Sequence, residues 1–412
     1  MSAQFFARLS EAWIFGIFCL LSGLALQAGP LAQKGPPDET SGRPPATQRR
    51  SRQSASGPGV GAAAPNRLAP NLKIAASPKG GAPLHRPPPN PPQSFRATMP
   101  AYRCFLGEFE RPLYWGNLAA LLLLHILAVG YFLYKLATFD AQHDPFLLAY
   151  AVLVGILGGL GITGGAHRYW THRCFKATTP VKLLFLVLYS ISGQNNLRDW
   201  VRDHRVHHKF SETDADPHNA NRGFWFAHVG WLCMRKHPLV AQKGRTVDVS
   251  DITQDPLLAF HVRHWAWFKL AFCFVIPTLI PPLFFGQPAS TTFWLVCIVR
   301  YASNLNFTWA VNSFAHIWGN KPYNRTIQPV ENPYVSLVAL GEGWHNYHHS
   351  FPWDYRAAEL GRGLNLTTMC LDLLARAGLI YDLKATPPRM VQQLAKRRGD
   401  GSGRPPAALF CE

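Results

Sequence analysis

Three clusters of histidines contain the residues of this chain whose type and spacing are best suited to chemistry. The clusters read His167-Arg-Tyr-Trp-Thr-His172, His204-Arg-Val-His207-His208 and His345-Asn-Tyr-His348-His349. They hold eight of the 17 histidines in the chain. Imidazole is the commonest metal ligand in proteins, and eight imidazoles exceed the needs of one four-coordinate ion. The clusters therefore predict a metal centre.

The spacing within the clusters predicts which imidazoles point together. Residues at positions i, i+3 and i+4 share one face of a helix, so the side chains of each His-x-x-His-His triad should point the same way. His167 and His172 differ, because five residues rotate their side chains about 140° apart on a straight α-helix. The helix must therefore end between these two histidines, or the two must bind different ions.

An all-imidazole site suits zinc, copper, iron or nickel, and the surrounding sequence narrows this choice. The His-Glu-x-x-His pattern of zinc proteases is absent, and no Cys-x-x-Cys pair offers thiolates. Neutral imidazoles can hold two redox-active irons close to a lipid-embedded substrate. Carboxylates near the clusters that could fix the imidazole tautomers are Asp199, Asp203, Glu342 and Asp354.

The composition indicates a membrane protein. Apolar residues make up 48% of the chain, aromatic residues 13% and charged residues 16%, against the ~25% charged that is usual in soluble proteins. The net charge of +18 suits either nucleic-acid binding or the cytosolic segments of a membrane protein. No nucleic-acid-binding motif accompanies the charge, so no nucleic-acid partner is expected.

Four apolar stretches predict an all-α membrane protein whose four transmembrane helices form two hairpins. They cover residues 114–136, 146–166, 268–285 and 291–311. The connections at 139–145 and 286–290 contain no Lys or Arg, whereas the segments with the histidine clusters are rich in both. Because positive charge concentrates in the cytosol, all three clusters should lie together on the cytosolic face of the membrane. Residues 181–193 are too short to span a bilayer and predict an interfacial or buried helix.

The two ends of the chain differ from its centre. Residues 1–98 are rich in Pro, Gly, Ser and Ala, carry far more Arg and Lys than Asp and Glu, and are predicted to be disordered. Within them, residues 12–28 are apolar and resemble a signal-peptide core, although the basic stretch that follows disfavours translocation. A targeting extension, a weak membrane contact and true insertion all stay open. Residues 384–412 are predicted to form a basic, flexible tail.

Longer stretches around the clusters match a known family in order and spacing. They include Gly164-Gly-Ala-His-Arg-Tyr-Trp-Thr-His-Arg173, Arg202-Asp-His-Arg-Val-His-His-Lys-Phe-Ser-Glu-Thr-Asp-Ala-Asp-Pro-His-Asn219 and Gly341-Glu-Gly-Trp-His-Asn-Tyr-His-His349. On these motifs, residues 99–383 resemble the membrane acyl-CoA desaturases of the stearoyl-CoA desaturase type, with most similarity to arthropod members.

The resemblance implies a fold, a reaction and partners. The fold would be four transmembrane helices under a cytosolic cap that holds a di-iron site with two Fe²⁺ ions. The reaction would remove two hydrogens from a fatty acyl-CoA with O2. Electrons would come from a membrane-anchored b-type cytochrome and its reductase. The enzyme would lie in the lipid of the endoplasmic reticulum membrane, with both termini and the active site in the cytosol.

The resemblance also implies roles for residues that spacing alone does not single out. His316 would be a ninth metal ligand, and Asn312 would hold a metal-bound water. The residues that match contacts to the CoA moiety are Asn117, Arg202, Asp203, Arg235 and Lys236. The residues that match the wall of the acyl tunnel are Gln194, Trp200 and Thr308.

The product and three rival functions stay open at the level of sequence. A cis double bond at Delta-9 is the main expectation, Delta-11 or another position is the alternative, and a hydroxylase or acetylenase on the same scaffold is less favoured. Residues 193–198 and the glycine-rich second helix depart from the family pattern, which affects the predicted tunnel. A metal transporter would need ionisable residues inside the spans, where His125 and Arg300 are the main examples. The eight intact histidines disfavour a catalytically silent paralogue.

Overall fold

A computed structural model describes residues 102–104, 107–109, 111–359 and 363–403 of the chain. These parts are mostly helical, as the sequence predicts. The predicted extension 1–98, with its apolar segment 12–28, lies outside the described residues.

Most of the described chain is built from helices of very different length. The first half contains α1 (Trp115–Ala137), α2 (Asp144–Leu160), α3 (Thr179–Ser192) and α4 (Leu197–Phe210). Short helices follow, namely α5 (Trp231–Cys233), α6 (Pro238–Gly244), α7 (Ser250–Thr253), α8 (Pro256–Arg263) and α9 (Trp265–Phe268). The remaining helices are α10 (Ile276–Phe284), α11 (Ala289–Thr292), α12 (Arg300–Ile317), α13 (Pro333–Val338), α14 (His345–Ser350), α15 (Leu366–Arg376) and α16 (Pro388–Arg398).

Strands are few and short in the described chain. β1 (Tyr102–Cys104) and β2 (Gly107–Phe109) pair antiparallel ahead of α1. β3 (Lys176–Ala177) and β4 (Ile380–Tyr381) form a second antiparallel pair, which joins the segment after the first histidine cluster to the end of α15.

Segments of π-helix extend or join several of the α-helices. Gly161–Thr171 continues α2, and Phe226–Gly230 leads into α5. Lys269–Val275 joins α9 to α10, and Phe293–Val299 joins α11 to α12. The chain is therefore helical without interruption over 144–171, 265–284 and 289–317. A π-helix bonds residue i to residue i+5 and is common at functional sites.

Three helices in the described chain are long and apolar enough to cross a membrane. They are Trp115–Ala137, Asp144–Thr171 and Trp265–Phe284, and they match the predicted spans 114–136, 146–166 and 268–285. The fourth predicted span, 291–311, lies within the continuous helix 289–317, which is not among the three. The four-helix membrane topology therefore stays a prediction.

Polar residues that face the protein interior explain why this fourth helix is less apolar. The guanidinium of Arg300 is buried and donates to the carbonyl oxygens of Val296, Ile191 and Cys273 at 2.7, 3.2 and 2.6 Å. Asn304 donates through Nδ2 to the carbonyl oxygen of Gly155 on α2 over 3.0 Å. A buried polar group is stable when its hydrogen bonds are made, so these residues are compatible with a helix inside a bundle.

The close packing of α3 against the end of α2 depends on a glycine. A Cβ atom at Gly161 would lie 2.2 Å from the backbone carbon of Leu188 and 2.2 Å from the backbone nitrogen of Tyr189. Helix α3 covers the predicted short segment 181–193 except for its last residue. It buries Phe185, whereas Leu183 and Leu184 stay exposed. The helix thus has one face in the core and another apolar face outside it.

Helix α16 lies where the sequence predicts a flexible tail. Its residue Val391 packs in one cluster with Tyr323, Tyr347 and Phe351. Apolar residues on one face of this basic helix have a partner in the α14 region, which composition alone does not reveal. Residues 404–412 lie outside the described chain.

Candidate metal centre

Nine histidines of the described chain come together in two groups that could each hold a metal ion. In each group, one ring nitrogen from every histidine lies within 4.8 Å of the others. The group of five consists of His167, His172, His204, His208 and His348, and the group of four consists of His207, His316, His345 and His349. All eight histidines of the sequence clusters are brought together, with His316 as the ninth.

The π-helix after α2 explains how His167 and His172 join the same group. The backbone N–H of His172 donates to the carbonyl oxygen of His167 over 3.1 Å, which is the i to i+5 bond of a π-helix. The helix ends at Thr171, and the two imidazole centroids are 4.8 Å apart. The helix therefore ends between the two histidines, which is the first of the two alternatives that the spacing left open.

Each His-x-x-His-His triad contributes to both groups. From α4, His204 and His208 belong to the group of five, whereas His207 belongs to the group of four. The triad of α14 is divided the other way: His348 belongs to the group of five, whereas His345 and His349 belong to the group of four. The rings of His208 and His349, one from each group, stack with centroids 4.1 Å apart. Two candidate metal positions therefore lie side by side.

The nitrogen positions in the group of five fit metal coordination. Two ligands at right angles, each about 2.1 Å from an ion as imidazole nitrogen is from zinc, would be about 3.0 Å apart. The Nε2 atom of His348 is 2.9 Å from Nε2 of His167 and 3.0 Å from Nε2 of His208. The buried Nε2 atom of His172 has no hydrogen-bond partner, which a metal ion would supply.

The group of four has the same spacing. The Nε2 atom of His345 is 3.1 Å from Nε2 of His316 and 3.1 Å from Nε2 of His349. Asn312, the residue predicted to hold a metal-bound water, is half-buried on α12. It lies four residues before His316 and therefore on the same side of the helix. The donor sets of both groups fit the metal ions that the sequence predicts.

Carboxylates hold the second ring nitrogen of three of these histidines. The Nδ1 atom of His207 is 2.9 Å from Oδ1 of Asp216, and Nδ1 of His316 is 2.6 Å from Oε1 of Glu212. In the group of five, Nδ1 of His167 is 2.8 Å from Oε2 of Glu342. A carboxylate on Nδ1 fixes the ring orientation and leaves Nε2 free to bind a metal.

Glu342 is itself held by a buried arginine. Arg168 donates through Nη2 to Oε1 of Glu342 over 2.8 Å, and its side chain is fully buried. Burial alone would raise the pKa of Glu342, but Arg168 and His167 outweigh burial and lower the pKa to about 2. For Asp216, His207 and His218 likewise outweigh burial and lower the pKa to about 2. Both carboxylates are therefore ionised at neutral pH.

Burial keeps most of the imidazoles neutral. Burial, and then the neighbouring imidazoles, lower the pKa well below its usual value in six members of the two groups, which are His172, His204, His208, His345, His348 and His349. At His207, burial acts in the same direction, but Asp216 outweighs it and raises the pKa. Neutral imidazole is the form that binds metal ions, so the site is prepared for coordination.

Three residues predicted to line the acyl tunnel form one hydrogen-bonded chain. Gln194 donates through Nε2 to Oγ1 of Thr308 over 2.8 Å. The indole N–H of Trp200 donates to Oε1 of Gln194 over 2.9 Å, and its ring stacks on His204 with centroids 5.1 Å apart. The chain therefore connects directly to the group of five.

The residues predicted to contact CoA form a charged cluster and a neighbouring backbone pairing. Arg202 donates to Oδ1 of Asp203 over 2.8 Å, and Lys236 donates to Oδ2 of the same carboxylate. Burial opposes ionisation of Asp203, but Lys236 and then Arg202 outweigh it and lower its pKa. The backbone N–H of Arg235 donates to the carbonyl oxygen of Pro112, and the side chain of Asn117 donates through Nδ2 to the carbonyl oxygen of Leu232 over 3.0 Å. All five residues therefore lie near the start of α1 and the end of α5.

Two of the carboxylates at the centre were not found from the sequence. Of the four acidic residues considered there, Glu342 contacts an imidazole of the two groups, whereas Asp199 and Asp203 bind Arg202. Asp354 instead accepts from Tyr347, Arg356 and Thr386. The imidazole contacts expected of Asp199, Asp203 and Asp354 are instead made by Glu212 and Asp216. These two lie in Ser211-Glu-Thr-Asp-Ala-Asp216, shortly after the second cluster. The acidic run itself was the available signal.

The comparison with known sequences places the chain in a family. The sequence profile described as "Fatty acid desaturase" matches residues 143–360. The "Acyl-CoA Delta-9 desaturase" of Acheta domesticus is 47% identical over 71% of this chain and 81% of its own length. "Stearoyl-CoA desaturase 5" of Bos taurus is 45% identical over 70% of this chain and 84% of its own length.

A third relative differs in the position named for its product. The "Acyl-CoA Delta(11) desaturase" of Trichoplusia ni is 48% identical over 67% of this chain and 78% of its own length. The residues that match the family profile, 143–360, include all nine histidines of the two groups. Three helices of the described chain could span a membrane. The chain therefore belongs to the fatty acid desaturase family and, within it, to the acyl-CoA desaturases, which are oxidoreductases.

Proposed function

We propose that the chain introduces a cis double bond into a saturated fatty acyl-CoA in an O2-dependent reaction. The observation that carries this proposal is the pair of adjacent histidine groups in a member of the fatty acid desaturase family. We favour Delta-9 as the position. Delta-11 or another position is the alternative, because relatives named for Delta-9, Delta-12 and Delta-11 are about equally similar to the chain. The shape of the acyl tunnel decides between them, since it sets which carbon pair lies near the metal ions.

We propose two Fe²⁺ ions as cofactors, one in each histidine group. Asn312 would hydrogen-bond to a water on the ion in the group of four. Bound iron would supply the chemistry of O2 and electron transfer. In the overall reaction, one O2 combines with two hydrogens from the acyl chain, two electrons and two protons, and the products are the double bond and two waters. Because that O2 chemistry would remove the hydrogens, no protein acid or base is needed for this step. The role of the chain's own residues is to keep nine imidazoles fixed, and burial keeps most of them neutral and able to bind metal.

The substrate would be positioned at two places. Gln194, Trp200 and Thr308 would line the acyl chain beside the group of five, and their mutual hydrogen bonds leave an unreactive wall that selects by shape. At the CoA end, Arg202 and Lys236, which both bind Asp203, would supply the positive charges that contact phosphate. Arg235 and Asn117 would complete the CoA contacts.

The membrane arrangement that we propose has four spans, with the helix 289–317 as the fourth. The enzyme would lie in the endoplasmic reticulum membrane and receive electrons from a membrane-anchored b-type cytochrome and its reductase on the cytosolic face, where an acidic partner suits a basic surface. A glycosylation acceptor inserted at residue 142 should be glycosylated, whereas one inserted at residue 245 should not. The opposite pattern would refute this orientation.

The test of the proposed reaction is product analysis in desaturase-deficient yeast that expresses the chain. Mass spectrometry of the cellular fatty acids should reveal a new cis double bond, and its position decides between Delta-9 and Delta-11.

His208→Ala should lose activity by at least about 100-fold, since even residues that contact a metal ligand rather than the metal itself affect activity 10–100-fold. His85→Ala, outside the described residues, is the matched control and should stay active. A hydroxylated or acetylenic product would replace the proposed reaction, and equal activity of His208→Ala would contradict the assigned site.

A further inference from the structure

Six exposed apolar side chains form a surface patch around the end of α12. The patch consists of Trp225, Phe314, Trp318, Tyr334, Leu337 and Val338. Tyr334 is 81% exposed, Trp225 74% and Leu337 63%. Exposed apolar patches of this kind mark interaction surfaces in proteins. Neither the metal centre nor the proposed substrate contacts use any of these residues.

Contacts within the protein make the patch continuous. The ring of Phe224 lies 5.1 Å from Trp225, 5.1 Å from Phe314 and 5.3 Å from Trp318 between ring centroids. Asn332, which caps the start of α13, donates through Nδ2 to the carbonyl oxygen of Trp318 over 2.9 Å. The aromatic side chains around α12 and the outer face of α13 therefore form one surface.

Helix α13 carries apolar residues on both its inner and its outer face. Its residue Val335 packs with Ala310 and Ala315 of α12, and Ala339 joins the same cluster. The opposite face presents Tyr334, Leu337 and Val338 away from the protein. A six-residue surface helix in water would carry polar residues on its outer face, so an apolar environment must cover this one.

Helix α13 lies next to a helix that could span the membrane, and this position indicates what covers its outer face. Leu340, two residues after α13, lies against Gly159, where an added Cβ would approach Leu340 Cδ1 to 2.7 Å. Gly159 belongs to the apolar helix Asp144–Thr171. Trp and Tyr are enriched where a membrane protein crosses from hydrocarbon to headgroups. The guanidinium of Arg222 also lies 3.6 Å from the ring centroid of Phe226, next to the patch, as suits an anionic lipid surface.

We propose that this patch is a lipid-contacting surface, with α13 lying in the headgroup region of the bilayer as an interfacial helix. His316 lies at the end of α12, two residues before Trp318 of the patch, and His345 follows the end of α13 by seven residues. The patch therefore sets the depth of the candidate metal centre at the membrane surface. This proposal stands apart from the identity of the metal and of the acyl substrate.

The experiment measures the environment of α13 in the full-length, metal-loaded protein. An environment-sensitive fluorescent amino acid replaces Leu337, or in a second preparation Tyr334, in vesicles of phosphatidylcholine and phosphatidylserine. Quenching by nitroxide lipids with the nitroxide at the headgroup or deep in the chain is compared with quenching by aqueous iodide. Two matched positions calibrate the scale: Ile126, which is 58% exposed within α1, and Gln393, which is exposed on α16.

The expected result is that headgroup nitroxides quench both α13 positions more strongly than iodide or deep nitroxides do. Position 126 should respond most to the deep nitroxide, and position 393 to iodide. Quenching of both α13 positions by iodide to the extent seen at 393 would overturn the proposal, because the surface would face water. Protection from every quencher would also overturn it, because another protein or a second copy of the chain would then cover the patch.

Discussion

The contact made by the second nitrogen of an imidazole decides how well the first nitrogen can bind a metal. In the group of four, His207 and His316 both have a carboxylate on Nδ1, whereas in the group of five the carboxylate contact is at His167. A carboxylate on Nδ1 increases the basicity of Nε2 and fixes its direction. The two candidate metal positions should therefore differ in their dependence on neighbouring carboxylates.

The first prediction follows from this asymmetry. Asp216→Asn and Glu212→Gln should each weaken metal binding in the group of four by about 10–100-fold, because the amide cannot accept the imidazole N–H in the same way as the carboxylate. Metal titration followed by elemental analysis should find one tightly bound ion and one weakened ion. Asp214→Asn is the matched control, since this exposed residue lies between the other two, and its metal content should equal that of the wild type. Loss of both ions in Asp216→Asn would contradict the asymmetry.

At this scale, the sequence predicted the imidazoles better than their partners. Eight histidines were recognisable because helical spacing constrains side chains within a few residues of each other. The contact of Glu212 with His316 joins residues 104 positions apart, and no local pattern determines such a distance. Asp199 and Asp354 are as near to the clusters in sequence as Asp216 is, yet they bind arginines, because the direction of each side chain depends on tertiary packing.

Among the elements, the π-helix that continues α2 has the largest effect on the site. It combines the i to i+5 bonding that brings His167 and His172 together with the close approach of α3 at Gly161. Side chains larger than hydrogen at this crossing would separate the helices and move the first histidine cluster. The sequence shows that this helix is rich in glycine, and at position 161 a glycine is needed for the packing of the helix against α3.

The second prediction tests that crossing. Gly161→Ala should destabilise the protein by roughly 1–3 kcal/mol, because the added Cβ overlaps the backbone of α3 and the helices must shift. Gly116→Ala is the control, since a Cβ there meets no atom within 4 Å, and its effect should be neutral or slightly stabilising. Thermal unfolding of both variants in the same detergent measures the difference. Equal midpoints for the two variants would show that α2 and α3 do not meet at Gly161.

Sequence reasoning located the long helices well but not their internal geometry. Apolar length sufficed for the three candidate spans, whose ends agree with the predicted ones within a few residues. Hydropathy cannot show that the polar side chains of Arg300 and Asn304 turn inward to carbonyl oxygens. The π-helices were also not predicted, because an α-helix and a π-helix have the same composition and differ only in which carbonyl each N–H reaches.

For the whole molecule, the described residues contain all nine histidines and every proposed substrate contact. We therefore propose that residues 99–383 form the catalytic domain, and we predict that residues 1–98 are dispensable for turnover. A chain that starts at Met99 should desaturate acyl-CoA at the same rate per molecule as the full chain, with both normalised to protein level. A large drop in specific activity, with the shorter protein still inserted in the membrane, would mean that the boundary is misplaced.

The final prediction concerns pH, and its sign follows from the six buried imidazoles whose pKa is lowered well below 6.5. In the unfolded chain these groups take up protons near pH 6.5, whereas in the folded chain they do not. Below that pH the unfolded state therefore binds more protons, and the free energy of unfolding falls as pH falls. His207, whose pKa is raised, acts in the opposite direction but is one group against six.

Metal-free protein should accordingly lose stability as the pH is lowered from about 7 to about 5, with each imidazole contributing about 1.4 kcal/mol per pH unit at full slope. Denaturant unfolding across this range measures the slope directly. His208→Gln, which removes one of the six groups, should reduce the slope. A free energy of unfolding that stays level or rises as the pH falls would mean that the imidazoles are not held neutral, and the packing of the two groups would then have to be looser than the distances between their nitrogens indicate.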